Sequence, residues 1–218
     1  MATTMSVEDK KRFVRRLAGS GRGFADQLGF RVTNNPAALF QLLYLSILLG
    51  RPGDPRRAAQ TAVALRDRGW DSAARMSRST QESRAAVLRG CGRRDADELA
   101  TTLGALASLV GERYHGDLRR LRTMAGYNAA RERDRLDRLP GVDDLVVDLF
   151  FREVQALWRE VPPSADRRAL TAARKLGLGR TADDLAALAG SRESEKLAWL
   201  VGALAMVDLD DTYHQITT

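Results

Sequence analysis

The chain contains a single cysteine, Cys91, among its 218 residues. One thiol excludes an intramolecular disulfide, a zinc site built from several cysteines and a four-cysteine iron–sulfur cluster. The absence of disulfides predicts a reducing, intracellular compartment. Cys91 lies between two glycines at the predicted end of a helix and has no histidine near it in sequence. A packing role is therefore favoured over a nucleophilic one.

Long apolar runs and a secretory signal are also missing. The longest apolar stretch, 39–49, is interrupted by Gln41 and Ser46, and it is about half the ~20 residues that a membrane span needs. The basic N-terminal segment is not followed by the apolar region of a signal peptide. We therefore expect a cytoplasmic protein without a membrane partner, in which residues 39–49 form a buried helix.

Lysine is scarce, so the basic charge is carried almost entirely by arginine. The chain has 35 Lys and Arg against 28 Asp and Glu, a net charge of +7 and a pI of about 10.1. The planar guanidinium suits phosphate contacts, which favours a nucleic acid or another polyanion as partner. Composition alone agrees equally well with arginines distributed over solvated helix surfaces.

The apolar residues recur with helical spacing in segment after segment, and no internal repeat is present. Positions i, i+3, i+4 and i+7 are apolar, whereas strict alternation is rare, so we predict an all-α fold. Hydrophobic residues make up 44% of the chain, enough for a core. The first predicted helix ends at about residue 17. The helices that follow cover 37–49, 57–68, 70–76, 80–89, 95–114, 118–124, 129–138, 144–158, 166–177, a short segment after Thr181, and 193–207. An acidic, frayed tail is expected after the last of them.

The segment Leu136-Asp137-Arg138-Leu139-Pro140-Gly141-Val142 is the most informative motif. It stands between two predicted helices, and Asp166 follows Gly141 by 25 residues, at the start of the next helix. This arrangement resembles the helix-hairpin-helix DNA glycosylase superfamily, which includes endonuclease III and the alkyl-purine glycosylases. In that family a Leu-Pro-Gly-Val-Gly hairpin precedes a helix, and a catalytic aspartate begins the following one.

The resemblance extends over residues 34–179. Residues 36–43 resemble the first barrel helix of the family, and residues 167–178 resemble its aspartate-bearing helix. The resemblance implies a two-lobed helical bundle of the helix-hairpin-helix glycosylase type. One lobe would be residues 34–158, with the hairpin at 139–143, and the other would be residues 1–33 and 159–218, packed across a cleft.

The implied function is the excision of a damaged or mismatched base from duplex DNA in base-excision repair. Such enzymes extrude the base from the duplex, and a carboxylate then stabilises the positive charge that develops on the sugar or orients the attacking water. Asp166 is the implied catalytic residue, although an N-cap for its helix explains the same aspartate, and both roles are compatible. The implied DNA contacts are Gly141, Val142 and Asp143 in the hairpin, Arg51 in the gap left by the base, and Arg167 and Arg168 on phosphates.

The chain departs from the family pattern at several positions. Asp143 stands where family hairpins usually have a second glycine, and Asp144 follows it, so two carboxylates oppose phosphate binding. Leu145 occupies the position of the lysine with which bifunctional members form a Schiff base. Lys175 lies in a helix that should turn it away from the pocket. We therefore predict a monofunctional, monomeric, nucleoid-associated enzyme without a metal or other cofactor.

Two alternatives remain open at the level of sequence. One is a DNA-binding protein that keeps the scaffold but has no catalytic activity. The other is a helical protein that binds a different acidic partner, in which case the arginines share no common face. Among the aromatic residues, Tyr127 is a candidate to stack on a base, whereas helical spacing favours core packing for Phe150, Phe151 and Trp158.

Overall fold

The computed structural model describes residues 5–190 and 194–216. Within these residues the chain forms α-helices and one 3₁₀ turn, without a β-strand, and the predicted all-α class is confirmed. None of the described helices has the length and apolar character needed to cross a membrane. The chain divides into two compact units. The central unit is Leu28–Phe150, and the terminal unit is Met1–Gln27 with Phe151–Thr218.

The central unit is organised around a helix that is apolar on all sides. This helix, Pro36–Gly50, begins at Asn35, whose side chain accepts the backbone N–H of Ala38 at 2.9 Å. Residues 42–48 are buried on every face, as expected for a helix without a polar stripe. The helices that begin in this unit are α3 Pro36–Gly50, α4 Pro55–Asp67, α5 Ala73–Ser77, α6 Gln81–Gly90, α7 Ala96–Tyr114, α8 Leu118–Met124, α9 Ala129–Asp137 and α10 Asp144–Val154.

The terminal unit joins the two ends of the chain around a long helix near the C-terminus. Leu200, Val201 and Leu204 of that helix are fully buried. Gly202 lets it approach the N-terminal segment closely, because a Cβ there would lie 2.4 Å from the backbone nitrogen of Phe24. The helices are α1 Val7–Leu17, α2 Phe24–Gln27, α11 Arg167–Lys175, α12 Ala182–Ala189, α13 Ser194–Asp210 and α14 Tyr213–Ile216.

Several helix boundaries shift by one to three residues from the predictions, and three further differences concern α10, α2 and the C-terminal segment. First, α10 ends at Val154 rather than at Trp158, because the N–H groups of Leu157 and Trp158 both donate to the Val154 carbonyl in a tight turn. Second, the short helix α2 was not predicted. Third, the described part of the segment predicted as an acidic, frayed tail is helical: α13 continues to Asp210 and α14 follows it, with the Tyr213 hydroxyl donating to Asp208 at 2.7 Å. Residue 193, the predicted start of α13, lies outside the described residues.

Candidate functional site

Asp166 is the N-cap of α11, after a link without regular secondary structure formed by residues 162–165. Its carboxylate oxygen Oδ1 accepts the backbone N–H of Ala169 at 3.0 Å, which satisfies one of the unpaired donors of the first helical turn. The residue is only 6% exposed. The capping role considered from sequence is therefore confirmed, and the catalytic role stays a prediction.

A buried arginine holds the other oxygen of this carboxylate. Nη1 of Arg152 donates to Asp166 Oδ2 at 2.7 Å, and Nε donates to Glu153 Oε1 at 2.6 Å. The guanidinium carbon lies 4.3 Å from the centroid of the Phe24 ring, within cation–π range. Burial by itself lowers the pKa of Arg152, but the charges of Asp166 and Glu153 outweigh it, so that the pKa is raised above its ordinary value.

Glu153 and Gln155 fix the chain segments around this ion pair. Oε2 of Glu153 accepts the backbone N–H of Ala25 at 3.2 Å. The Gln155 amide donates to the Ser164 carbonyl at 2.7 Å and accepts the Ser164 N–H at 3.0 Å. A fully buried glutamine that bonds both backbone groups of one residue holds the link before Asp166 in place. Arg152, Glu153 and Asp166 are called the buried cluster below.

The buried cluster is a preorganised carboxylate site with little access from solvent. It contains one cation and two carboxylates, and each oxygen of Asp166 already has one hydrogen bond. A carboxylate oxygen has two lone pairs, so further acceptor capacity remains. A ligand could use it only if the surrounding side chains moved. Glu153, Gln155 and Phe24 were not assigned to the site from sequence, although charges inside the apolar run 145–154 are a signal for a buried ion pair.

The two arginines after Asp166 differ in their surroundings. Arg167 is exposed, whereas Nη1 of Arg168 lies 3.4 Å from Asp208 Oδ2 on α13. Lys175 also approaches Asp208, at 4.0 Å, and its Nζ lies 4.2 Å from the centroid of the Tyr213 ring. Lys175 therefore points toward α13 and α14, as expected from its helical position. The phosphate contacts of Arg167 and Arg168 stay predictions.

The predicted hairpin is a tight turn in the central unit. The N–H of Val142 donates to the Leu139 carbonyl at 3.1 Å, and both side chains are buried. Gly141 has a φ of +77°, and a Cβ there would lie 2.4 Å from the Thr102 side chain. A side chain is therefore excluded at Gly141 by both backbone conformation and space. Contact of Gly141 and Val142 with DNA stays a prediction.

Carboxylates occupy the start of the helix that follows the hairpin. Oδ1 of Asp143 accepts the backbone N–H of Val146 at 2.9 Å, so this exposed residue caps α10. Asp144 pairs with Arg133 at 3.0 Å, and Arg133 also bonds Asp148. The positive end of the helix dipole is thus already balanced by protein charge. This arrangement opposes phosphate binding at Asp143, and its contact with DNA stays a prediction.

The remaining predicted residues lie in different environments. Arg51 follows α3 in an extended backbone conformation, and its Nη1 lies 2.9 Å from Oε1 of Glu98. Phe150, Phe151 and Trp158 are buried, which confirms the predicted core packing. Leu145, at the position of the family lysine, is exposed. Among the described residues, no group of three or more His, Cys, Asp or Glu side chains is arranged to hold a metal ion.

Comparison with known proteins gives a likeness of fold. No family model and no curated protein sequence matches the chain. Among solved structures, the chain is similar to endonuclease III in a trapped covalent intermediate with DNA, the estranged-adenine complex. The TM-score is 0.56 with 15% sequence identity, and the match covers 93% of this chain and 86% of that one. The fold is therefore of the endonuclease III-like helical type.

Proposed function

We propose that this chain binds duplex DNA and excises a damaged or mismatched base by hydrolysing its N-glycosidic bond, with Asp166 as the catalytic carboxylate. The observation that carries the proposal is the likeness to DNA-bound endonuclease III over 93% of the chain. The position of Asp166 supports it, because the aspartate caps the helix that follows the hairpin helix. The proposed enzyme acts as a monomer associated with the nucleoid and needs no cofactor.

In the proposed reaction the base is first extruded from the duplex. The bond between the sugar C1′ and the base nitrogen breaks, and the departing base takes the bonding electron pair. The Asp166 carboxylate stabilises the positive charge that develops on the sugar. A water oxygen then bonds to C1′, and its proton is transferred through solvent to the departing base, which leaves as the neutral molecule. Arg152 keeps the carboxylate oriented through its bond to Oδ2, and its movement would free that oxygen for the sugar.

The proposed enzyme does not cleave the DNA strand. Strand cleavage by a Schiff base needs a lysine amine beside the sugar, and Leu145 occupies the corresponding position. Lys175 contacts Asp208 and Tyr213 instead. In the proposal, the hairpin at Gly141, Val142 and Asp143 contacts the DNA backbone, and Arg167 and Arg168 contact phosphates. Arg51 fills the gap left by the extruded base.

The experiment measures base release from duplexes that carry alkylated, oxidised, deaminated or mismatched bases. Asp166→Asn keeps an oxygen for the helix cap but removes the charge, so base release is lost while duplex affinity stays within about threefold, since most affinity comes from phosphate contacts. Glu153→Gln is the matched control, because it removes the other carboxylate partner of Arg152. Circular dichroism and thermal unfolding establish that both variants are folded.

The outcomes separate catalysis from structure. Loss of base release in Asp166→Asn alone supports the proposed role. If both variants lose base release to the same extent, in proportion to their loss of stability, Asp166 is a structural residue.

Asp143→Asn removes a negative charge beside the proposed phosphate site, so duplex affinity rises a few-fold at low salt. Failure of the wild-type protein to bind duplex DNA at low salt would overturn the proposal as a whole.

The second candidate is a DNA-binding protein without glycosylase activity. The observation that favours it is the engagement of both Asp166 oxygens in a residue that is 6% exposed. In this case the buried cluster only stabilises the terminal unit. Duplex binding without base release from any substrate in the panel would select this candidate.

A further inference from the structure

The turn between α8 and α9 presents an aromatic ring to solvent in a strained conformation. Tyr127 is 56% exposed and has a φ of +55°, directly after Gly126 with a φ of +67°. Its backbone N–H donates to the Arg122 carbonyl at 3.1 Å and closes α8. Glycine or asparagine would adopt this left-handed conformation at lower cost than a bulky aromatic residue. The turn itself therefore does not explain a tyrosine at this position.

Arginines lie on both sides of the turn, and one of them contacts the ring. The Arg122 guanidinium lies 5.1 Å from the centroid of the Tyr127 ring. On α9, Nη1 of Arg131 is 3.9 Å from the position that a Cβ on Gly126 would occupy, and Arg135 donates to the Met124 carbonyl at 3.0 Å. The α9 side of the turn is therefore positively charged as well.

A shallow depression continues from this turn along α9. Its volume is about 180 Å³, and it is lined by Arg131, Asp134, Arg135 and Arg138. Three arginines against one aspartate give the depression a net positive charge. Guanidinium groups suit contacts with the phosphates of a nucleic acid strand.

We propose that the Tyr127 platform, defined as Tyr127 with Arg122, Arg131, Arg135 and Arg138, binds single-stranded DNA. The ring stacks on one unpaired base, and the arginines of α9 hold the neighbouring phosphates. A duplex hides its base faces inside the stack, so an exposed ring selects an unpaired base. The inference rests on the proposed function for its choice of DNA, but it adds a partner that base excision does not require.

The experiment compares a short oligothymidylate with an abasic strand of the same length, by fluorescence anisotropy. Tyr127→Gly removes the ring and suits the positive φ, so this variant folds at least as stably as the wild type. It binds oligothymidylate about 5- to 100-fold more weakly and binds the abasic strand as the wild type does, because the arginines remain. Tyr127→Trp keeps an aromatic face and retains the preference for oligothymidylate.

Several results would overturn the proposal. Unchanged binding of oligothymidylate by Tyr127→Gly would remove the ring from the interface. An equal loss on the abasic strand would mean that the substitution acts through the turn rather than through stacking. Tighter binding of oligouridylate than of oligothymidylate by the wild type would assign the platform to RNA. Base release by Tyr127→Gly serves as the separate control: it stays at the wild-type level, so failure of base excision and failure of the platform are distinguishable.

Discussion

Two aspartates play the same local role in different parts of the molecule. Asp143 in the central unit caps α10 by accepting the N–H of Val146 at 2.9 Å, and Asp166 in the terminal unit caps α11 by accepting the N–H of Ala169 at 3.0 Å. Asp143 is exposed to water. Asp166 is 6% exposed and forms an ion pair with Arg152.

The difference in environment decides what each charge does. Each cap contributes about 1 kcal/mol to the stability of its helix. The charge of Asp143 extends into solvent, where it repels an approaching phosphate at a range set by salt. The charge of Asp166 is compensated inside the protein, so its loss is felt first as a loss of stability. The same cap geometry therefore opposes binding at the surface and supports folding in the interior.

Arg152→Met tests this comparison with the largest expected effect. The substitution leaves Glu153 and Asp166 buried without a cation, and breaking a buried ion pair typically costs about 3–5 kcal/mol. We expect the free energy of unfolding of the terminal unit to fall by about 4 kcal/mol, measured by urea denaturation. Arg174→Met is the control on exposed surface of α11, with an expected change of about 0.5 kcal/mol or less. Similar losses in both variants would contradict a stabilising role for the buried cluster.

The second prediction compares the two caps directly. Asp166→Asn and Asp143→Asn both keep an acceptor oxygen and lose one negative charge. We expect Asp166→Asn to lower the free energy of unfolding by about 2–3 kcal/mol, since Arg152 keeps only Glu153 as a charged partner. Asp143→Asn should change it by about 0.5 kcal/mol or less. Equal changes measured by urea denaturation would mean that burial does not distinguish the two sites.

The sequence predicts local features of this fold better than distant ones. The bounds of α8 and the cap at Asp166 follow from periodicity and from the residue types that begin helices. The pairing of Arg152 with Asp166 depends on how the chain returns after Pro162 and Pro163, which no local pattern specifies. The end of α10 at Val154 is likewise not specified by a local pattern, because the turn there is accompanied by burial of Trp158 and Val161.

A third aspartate, Asp117, lies between these two extremes in burial and gives a smaller effect than Asp166. It caps α8, is partly buried, and accepts bonds from the backbone N–H of Arg119 at 3.0 Å and from its Nη2 at 2.7 Å. The hydrogen bond from the Arg119 side chain is the main reason that the pKa of the Asp117 carboxyl lies below its ordinary value of 3.8, and burial opposes it. We expect Asp117→Ala to lower the free energy of unfolding by about 1 kcal/mol at neutral pH.

The pH dependence of this effect follows from the sign of the shift. Because the folded state holds the carboxyl in its charged form, the contribution is complete above the ordinary pKa of 3.8 and is lost as the pH falls through the lowered value. Urea denaturation of wild type and Asp117→Ala at decreasing pH should therefore give curves that converge in acid. Arg119→Gln, which keeps the cap but removes the side-chain bonds, should show the same convergence to a smaller extent. A constant difference at all pH values would mean that the carboxyl oxygen, rather than its charge, supports the helix.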